Sequence, residues 1–384
     1  MIPSLYVHIP LCKKKCDYCD FFSIIPENSK TQDLVIEALQ KELAYRCAEY
    51  KVTSWKSIYI GGGTPSLLLP NQIRTLCKNI SQSISPAFLP TNIEWTIEAN
   101  PEDISIEWLQ ACSESGINRI SVGIQSMNDT VLREAGRRGC RKSNYKALEL
   151  LHTQWHGKLS LDFIAGLPNQ KKEDLINDLT ETFFYKPDHI SLYSLTVEEG
   201  TPLEKKINNN SCIIPDNDEA SDMWIAGRDF LENNGFIQYE VSNFSKPGFE
   251  SSHNETYWNM NNWLAIGPGG SATIVKNDTA VRYTNIKNVS LWLKDPFNTV
   301  EQELLSKKDL LSETLIMGFR MIKGINRKAF FLRFGKDLLE VIGKTVYNWQ
   351  KKQLVIISDE HVSLTKNGLL FLNSFLCDCF QEIN

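Results

Sequence analysis

The sequence predicts an α/β protein built on a parallel sheet, with a smaller, mainly helical unit following it. Three observations predict this. Up to about residue 200, short runs rich in Ile, Val, Tyr and Phe alternate with segments of helical period. Those runs show little polar–apolar alternation, as strands covered on both faces do. Beyond about residue 300 the pattern changes to helices, then a short hairpin and a last helix. Six βα units in succession imply a parallel sheet, either open and twisted or curled like a barrel.

Strands are expected at residues 5–9, 57–60, 93–98, 119–123, 160–164 and 189–195. Helical stretches lie between them at 31–49, 71–84, 105–115, 128–135, 143–151 and 171–184. Ser105, three residues before Trp108, reads as an N-cap, and Gly116 as the stop of the same helix. A polar patch around 208–218 marks a break, and a helix over 218–233 then leads to an aromatic-rich stretch at 239–263. Helices at 312–323, 327–334 and 338–353 precede a hairpin at 354–365 and a helix at 367–380, a winged-helix-like order. The expected domains are 1–210, a linking segment 211–300, and 301–384.

A chain of 384 residues can bury a large α/β core and a smaller one beside it. The net charge of −5 argues against a nucleic-acid partner. No stretch approaches ~18 consecutive apolar residues, so no transmembrane helix is expected. The N-terminus lacks the charged flank of a signal peptide, and a cytoplasmic protein is expected. Cys47, Cys77, Cys112, Cys140 and Cys212 are scattered and read as small hydrophobes in a reducing compartment. Cys377 and Cys379 read as incidental.

In parallel α/β sheets functional groups gather at the C-terminal ends of the strands. The distinctive motifs fall there. Cys12, Cys16 and Cys19 follow the first strand, Gly61-Gly-Gly-Thr-Pro65 the second, and Glu98-Ala-Asn-Pro101 the third. Gln125 follows the fourth strand and Asp162 lies in the fifth. The cysteines read three ways. Structural zinc would need a fourth ligand, for which His8, Asp17 and Asp20 are the nearby candidates. An electron-transfer cluster wants a fourth cysteine, and position 21 is Phe. A [4Fe–4S] cluster with one iron free of protein ligands fits the three as they stand. The glycine turn admits close approach to its backbone, or is simply a tight βα connection. It lacks the pattern of a P-loop or a dinucleotide fingerprint.

Taken together, these motifs resemble the radical S-adenosylmethionine (SAM) superfamily, in its coproporphyrinogen-oxidase-like branch. The resemblance also rests on Tyr6-Val-His-Ile-Pro10, Asn118-Arg-Ile-Ser-Val-Gly-Ile-Gln-Ser126, Asp162-Phe-Ile-Ala-Gly-Leu-Pro168 and His189-Ile-Ser-Leu-Tyr-Ser194. It implies a curved, partial (β/α)6 barrel. It also implies a [4Fe–4S] cluster on Cys12, Cys16 and Cys19, whose open iron chelates SAM and can supply a 5′-deoxyadenosyl radical. By the same resemblance Tyr6 and Tyr18 sit beside cluster and SAM, and Gly62, Gly63 and Thr64 line the methionine moiety. Glu98 and Gln125 make polar contacts to SAM, Arg137 approaches its carboxylate and Asp162 takes the ribose hydroxyls.

Within the branch, coproporphyrinogen III oxidases typically carry a further cysteine where this chain has Phe21. Cys16-Asp-Tyr-Cys-Asp-Phe21 and His253-Asn-Glu-Thr-Tyr-Trp258 instead resemble the haem chaperone (HemW) family. That resemblance implies bound haem, with His253 on its iron and Tyr257 and Trp258 against the porphyrin. It further implies a haem-acceptor protein, an electron donor, and peripheral membrane association through the acceptor. The rival implication is oxidative decarboxylation of coproporphyrinogen III. Cys140 and Ser271 stand where family members often have histidine.

Overall fold

The computed structural model describes residues 1–84, 93–297 and 299–383. Its first six strands are β1 (Ser4–Ile9), β2 (Ser57–Gly62), β3 (Glu94–Ala99), β4 (Arg119–Gln125), β5 (Lys158–Ala165) and β6 (His189–Ser194). Helices α1 (Ser29–Glu49), α2 (Pro70–Gln82), α3 (Ile106–Glu114), α4 (Asp129–Glu134), α5 (Arg141–Gln154) and α6 (Lys172–Thr182) lie between them. The caps act as expected: the Ser105 hydroxyl accepts from the Trp108 N–H, and Gly116 follows α3 with φ +85°.

The strands pair in chain order, β1 to β6, and every pairing is parallel. Right-handed crossovers taken in unbroken order put the helices on one face. A doubly wound sheet would reverse its direction part-way. This one does not, and its other face curls into a partial (β/α)6 barrel. One cavity is lined by the ends of β2 to β6 and by the loop that follows β1, as a concave sheet requires.

Alternation along the strands is stricter than the sequence suggests. Leu5, Val7 and Ile9 of β1 are fully buried in the main core with Ile58, Ile97, Ile120 and Leu161. The intervening Ser4, Tyr6 and His8 face the barrel interior, as do Ser57 and Tyr59 of β2. The interior is buried too: its residues are mostly Tyr, His, Ser and Thr, joined by Glu94 and Glu98 of β3, and this hides the period of two.

The stretch 211–300, expected to link two domains, is largely built into the sheet. After α7 (Pro202–Asn208) and α8 (Asn217–Asn233), β7 (Ile237–Gln238) and β8 (Asn243–Ser245) extend the β6 edge antiparallel. After α9 (Ser252–Trp258), β9 (Trp263–Ile266) pairs parallel with β1. Then β10 (Ser271–Lys276), β11 (Thr279–Asn285), α10 (Val289–Lys294) and β12 (Thr299–Leu305) follow, giving twelve strands in one sheet.

The remaining elements are α11 (Lys307–Gly318), β13 (Ile325–Asn326), α12 (Arg327–Phe334), α13 (Leu338–Lys351), β14 (Val355–Ile357), β15 (His361–Leu364), α14 (Lys366–Leu369) and α15 (Leu372–Ile383). Helix, short strand, two helices and a hairpin, with strand order β13-β15-β14, make a winged-helix-like module. Its core holds Phe319, Phe330, Val346 and Phe375, together with Met260 and Ala280 from the large unit. Among the described residues no helix is long and apolar enough to cross a membrane.

Candidate cofactor site at the strand ends

The cysteine loop leaves β1 at Pro10 and is fixed from several sides. The Cys12 N–H donates to Ile24 O (2.9 Å), and Asp17 N–H to Ala135 O at the end of α4 (3.1 Å). From α7, the Leu203 N–H donates to Asp17 O (2.8 Å), and the Lys206 ammonium pairs with the Asp17 carboxylate at 2.6 Å. Phe22 O lies 2.8 Å from His8 Nε2. The chain thus holds the cysteines through its own backbone.

Cys12, Cys16 and Cys19 share the wall of a cavity of about 480 Å³, a volume suited to a small-molecule cofactor. Cys12 Sγ lies 3.3 Å from Thr64 Oγ1, and Arg137 Nη1 donates to Cys16 Sγ at 3.6 Å. Burial pushes the Cys19 thiol up to about 11, so a metal binding there must displace its proton. Among the described residues no trio of His, Cys, Asp or Glu clasps a single ion. A cubane instead takes one thiolate on each of three separate irons.

The glycine turn continues the cavity wall beside the cysteine loop. Gly62 adopts φ +108°, and a Cβ on it would stand 2.6 Å from His8 Nδ1. A Cβ on Gly63 would meet Leu11 O at 2.7 Å. These glycines let the turn lie flush against β1 and the cysteine loop, bringing Thr64 beside Cys12.

Two carboxyl groups also line the cavity. Glu98 Oε1 accepts from the Tyr59 hydroxyl (2.7 Å) and Oε2 from the Gly62 N–H (3.2 Å). Burial pushes Glu98 up to about 7, and the nearby Asp162 adds to the shift. Asp162 accepts from Ser121 Oγ at 3.0 and 3.1 Å and is raised by burial as well. Two buried acids with raised pKa values favour a cation or hydroxyl donors between them.

Arg137 Nη2 donates to Gly123 O (2.7 Å) and Asn100 Oδ1 (3.1 Å), leaving its buried Nε without a partner. Gln125 Oε1 is buried and unpartnered too. An unpartnered donor and an unpartnered acceptor on two residues lining one cavity are groups that a bound amino-acid group could satisfy. The donor set therefore fits a three-thiolate cluster with SAM beside it. Tyr18 lines the same cavity, and burial raises its hydroxyl well above the ordinary value. Tyr6 stands one layer below: its ring stacks on Tyr59 at 6.2 Å and its hydroxyl meets His8 Nδ1 at 3.1 Å.

The expected haem residues lie elsewhere. Helix α9 seals the opposite end of the barrel, against the N-terminal ends of β1, β2 and β3. The Glu94 carboxylate accepts from Ser251 Oγ and from the N–H groups of Ser252 and His253, at 3.1, 3.2 and 3.1 Å. His253 is 1% exposed, with Nδ1 2.9 Å from Ser57 Oγ and Nε2 2.8 Å from Tyr257 Oη. Burial drives its imidazole down to about 3, so it is neutral and fully engaged. Tyr257 packs edge-on against Trp263, and the Arg320 guanidinium lies over the Trp258 ring. Both imidazole nitrogens of His253 thus serve the packing of α9, while Tyr257 and Trp258 stay partly exposed.

Asn100 and Tyr193 are cavity residues that lie within the sequence motifs but were given no role there. Asn100 joins Arg137 to Thr64, its Nδ2 donating to Thr64 Oγ1 at 3.3 Å. Both stand at strand ends, and the rule that marked Glu98 would have marked them.

The family model for the radical SAM superfamily matches residues 6–181, and that for the HemN C-terminal domain matches residues 305–371. The fold and the three-cysteine cavity thus define a radical SAM protein. The "Heme chaperone HemW" of Lactococcus lactis is 32% identical over 95% of this chain and 94% of its own length. The mouse "Radical S-adenosyl methionine domain-containing protein 1, mitochondrial" is 33% identical over 99% of this chain and 88% of its own. The chain belongs to the HemW family, within the HemN-like branch. The solved coproporphyrinogen III oxidase (HemN) of Escherichia coli shares the fold, with TM-score 0.83 at 20% identity, over 98% of this chain and 90% of that one.

Proposed function

We propose that the chain is a haem chaperone. It holds one [4Fe–4S] cluster on Cys12, Cys16 and Cys19, takes SAM in the adjoining cavity, binds haem and passes it to an acceptor protein. The observation that carries the cofactor part is the cavity itself: three thiols and two raised carboxyls line it, together with Arg137 and Gln125 and their unpartnered polar atoms. The haem part rests on the names of the relatives.

When bound, the cluster would supply an electron to the sulfonium of SAM. Arg137 orients the carboxylate of SAM through its free Nε, its two Nη groups being held by Gly123, Asn100 and Cys16. Glu98 offsets the sulfonium charge, and Asp162 accepts from the ribose hydroxyls. Gln125 Oε1 supplies one more acceptor. Gly62, Gly63 and Thr64 press the methionine moiety against the loop, and Tyr18 covers the thiols. To reach a haem iron, His253 would have to give up its bond to Ser57 or to Tyr257. An electron donor and a haem acceptor are the partners, the acceptor being the route to a membrane. A cytoplasmic site accords with ten free thiols.

Anaerobic reconstitution tests this. The expected protein carries close to four irons and four sulfides per chain, binds SAM and haem, and yields haem to an apo-acceptor. Conversion of coproporphyrinogen III to protoporphyrinogen IX would overturn the chaperone reading in favour of an oxidase.

A further inference from the structure

The end of β4 is backbone under strain. Gln125 has φ +64°, in the left-handed region that a residue with a side chain rarely occupies. The register against β5 slips between Gly123 and Gln125, so Ile124 is the extra residue of a bulge. The Ser126 N–H then donates back to Ile124 O at 2.8 Å, closing a three-residue turn about Gln125. With positive φ at its centre this is the rare, costly hand of the γ-turn. Strain of this kind persists only where surrounding groups over-determine it.

Two such groups hold the turn, and neither lines the cavity. Asn144 of α5, 2% exposed, donates from Nδ2 to Ser126 O at 2.9 Å and to Ile124 O at 3.5 Å. It thus ties down the carbonyls on both sides of Gln125. Asp178 of α6, 3% exposed, accepts from Ser126 Oγ at 2.6 Å and from the Met127 N–H. Ser126 Oγ in turn accepts from the Asn128 N–H at 3.1 Å. What the turn achieves is visible on its other side. The Gln125 carboxamide lies over Gly123, where an added Cβ would stand 2.8 Å from Nε2, and its Oε1 is buried without a partner.

We propose that Asn144 and Asp178 are positioning residues that hold the Gln125 turn in its left-handed form and thereby aim the Gln125 carboxamide into the cavity. This rests on the reading of that cavity as the SAM site. The outer helices then fix one cofactor contact through the backbone of β4. A chain of ordinary extended geometry at position 125 would send the side chain away from Arg137.

The test measures SAM affinity by calorimetry and amide exchange by mass spectrometry. Asn144→Ala and Asp178→Ala are expected to weaken SAM binding to the reconstituted protein about tenfold with iron content unchanged. Asp178→Asn keeps an acceptor for Ser126 and is expected to recover most of the loss. In a Gln125→Ala background, Asn144→Ala should cost no further affinity. An equal loss in both backgrounds overturns the proposal, because Asn144 would then act elsewhere. The cofactor-free protein gives a second readout: exchange over residues 124–128 should quicken in Asn144→Ala. Should wild-type protein bind no SAM, the reading of the cavity fails, and this exchange still judges the bracket. Unchanged exchange there overturns the positioning role, also where Asp178→Ala fails to fold.

Discussion

Glu98 shows how one residue links stability and binding with opposite signs. Its ordinary value is 4.5, and in the fold it stands near 7, through burial first and Asp162 second. A raised carboxyl contributes stability fully below about 4.5, and that contribution is lost as pH rises through about 7. A cation in the cavity reverses the preference by favouring the ionised form. SAM affinity is therefore expected to rise between pH 6 and 8, roughly tenfold for one unit of linked pKa shift. S-adenosylhomocysteine, which lacks the sulfonium charge, should show a much flatter profile. Glu98→Gln should flatten the SAM profile as well; an unaltered slope in that variant would remove Glu98 from the site. His253 carries the contrary lesson. Its motif was plain in the sequence, but the motif could not say that Ser57 and Tyr257 occupy both ring nitrogens. His253→Ala is expected to cost about 2–4 kcal/mol through two lost buried hydrogen bonds and a vacated ring. Haem titration of the folded variant should match wild type, and a lost Soret shift would return His253 to the haem iron.

At the scale of elements, what the sequence made legible were the six long strands and the loops behind them. Their spacing was visible because each strand is at least six residues long. β7, β8 and β9 are two to four residues long, too short for any period to register, whereas β10 and β11, six and seven residues long, went unread in the same stretch. Helix α9 was hidden for another reason: only the folded sheet places Ser4, Ser57 and Glu94 where they can receive it. The glycine turn was legible as a motif, and its missing side chains serve the packing of β2 on β1, as the tight-connection reading expects. Gly62→Ala puts a Cβ into the His8 ring and a side chain at φ +108°. The conformation alone costs about 1–2 kcal/mol, before the overlap is relieved. Displaced His8 also loosens its contact with Phe22 O, so the cysteine loop shifts. The expected outcome is a lower Tm and at least a halving of the iron retained after reconstitution. Full iron retention would show that the turn and the loop are independent.

Across the whole molecule, two hydrophobic cores were foreseeable from the change of pattern near residue 300, but their connection was not. The second core takes Met260 from the segment after α9 and Ala280 from β11. Polar contacts reinforce the join. Arg282 of β11 forks Glu313 of α11 at 2.8 and 2.5 Å. Arg333 of α12 donates to Met260 O at 3.1 Å, and the Ile322 N–H to Tyr239 O at 3.0 Å. A bidentate, half-buried arginine–carboxylate pair is worth more than a surface ion pair, and apolar side chains shared between cores are lost to both if they part. The two units should therefore unfold together. A scan of the full-length apo-protein is expected to give one transition, with calorimetric and van't Hoff enthalpies in agreement. A chain ending at residue 305 would bare Met260, Ala280 and the outer face of β11, and should be recovered largely aggregated. If that shortened chain were instead monomeric with an unchanged Tm, the C-terminal module would be an independent appendage. The sheet would then owe none of its stability to it. Because α9, which seals the barrel, leads directly into Met260, the join gives the C-terminal module a mechanical path to the barrel floor. Arg282→Ala together with Arg333→Ala should consequently speed amide exchange in α9 as well as in α11.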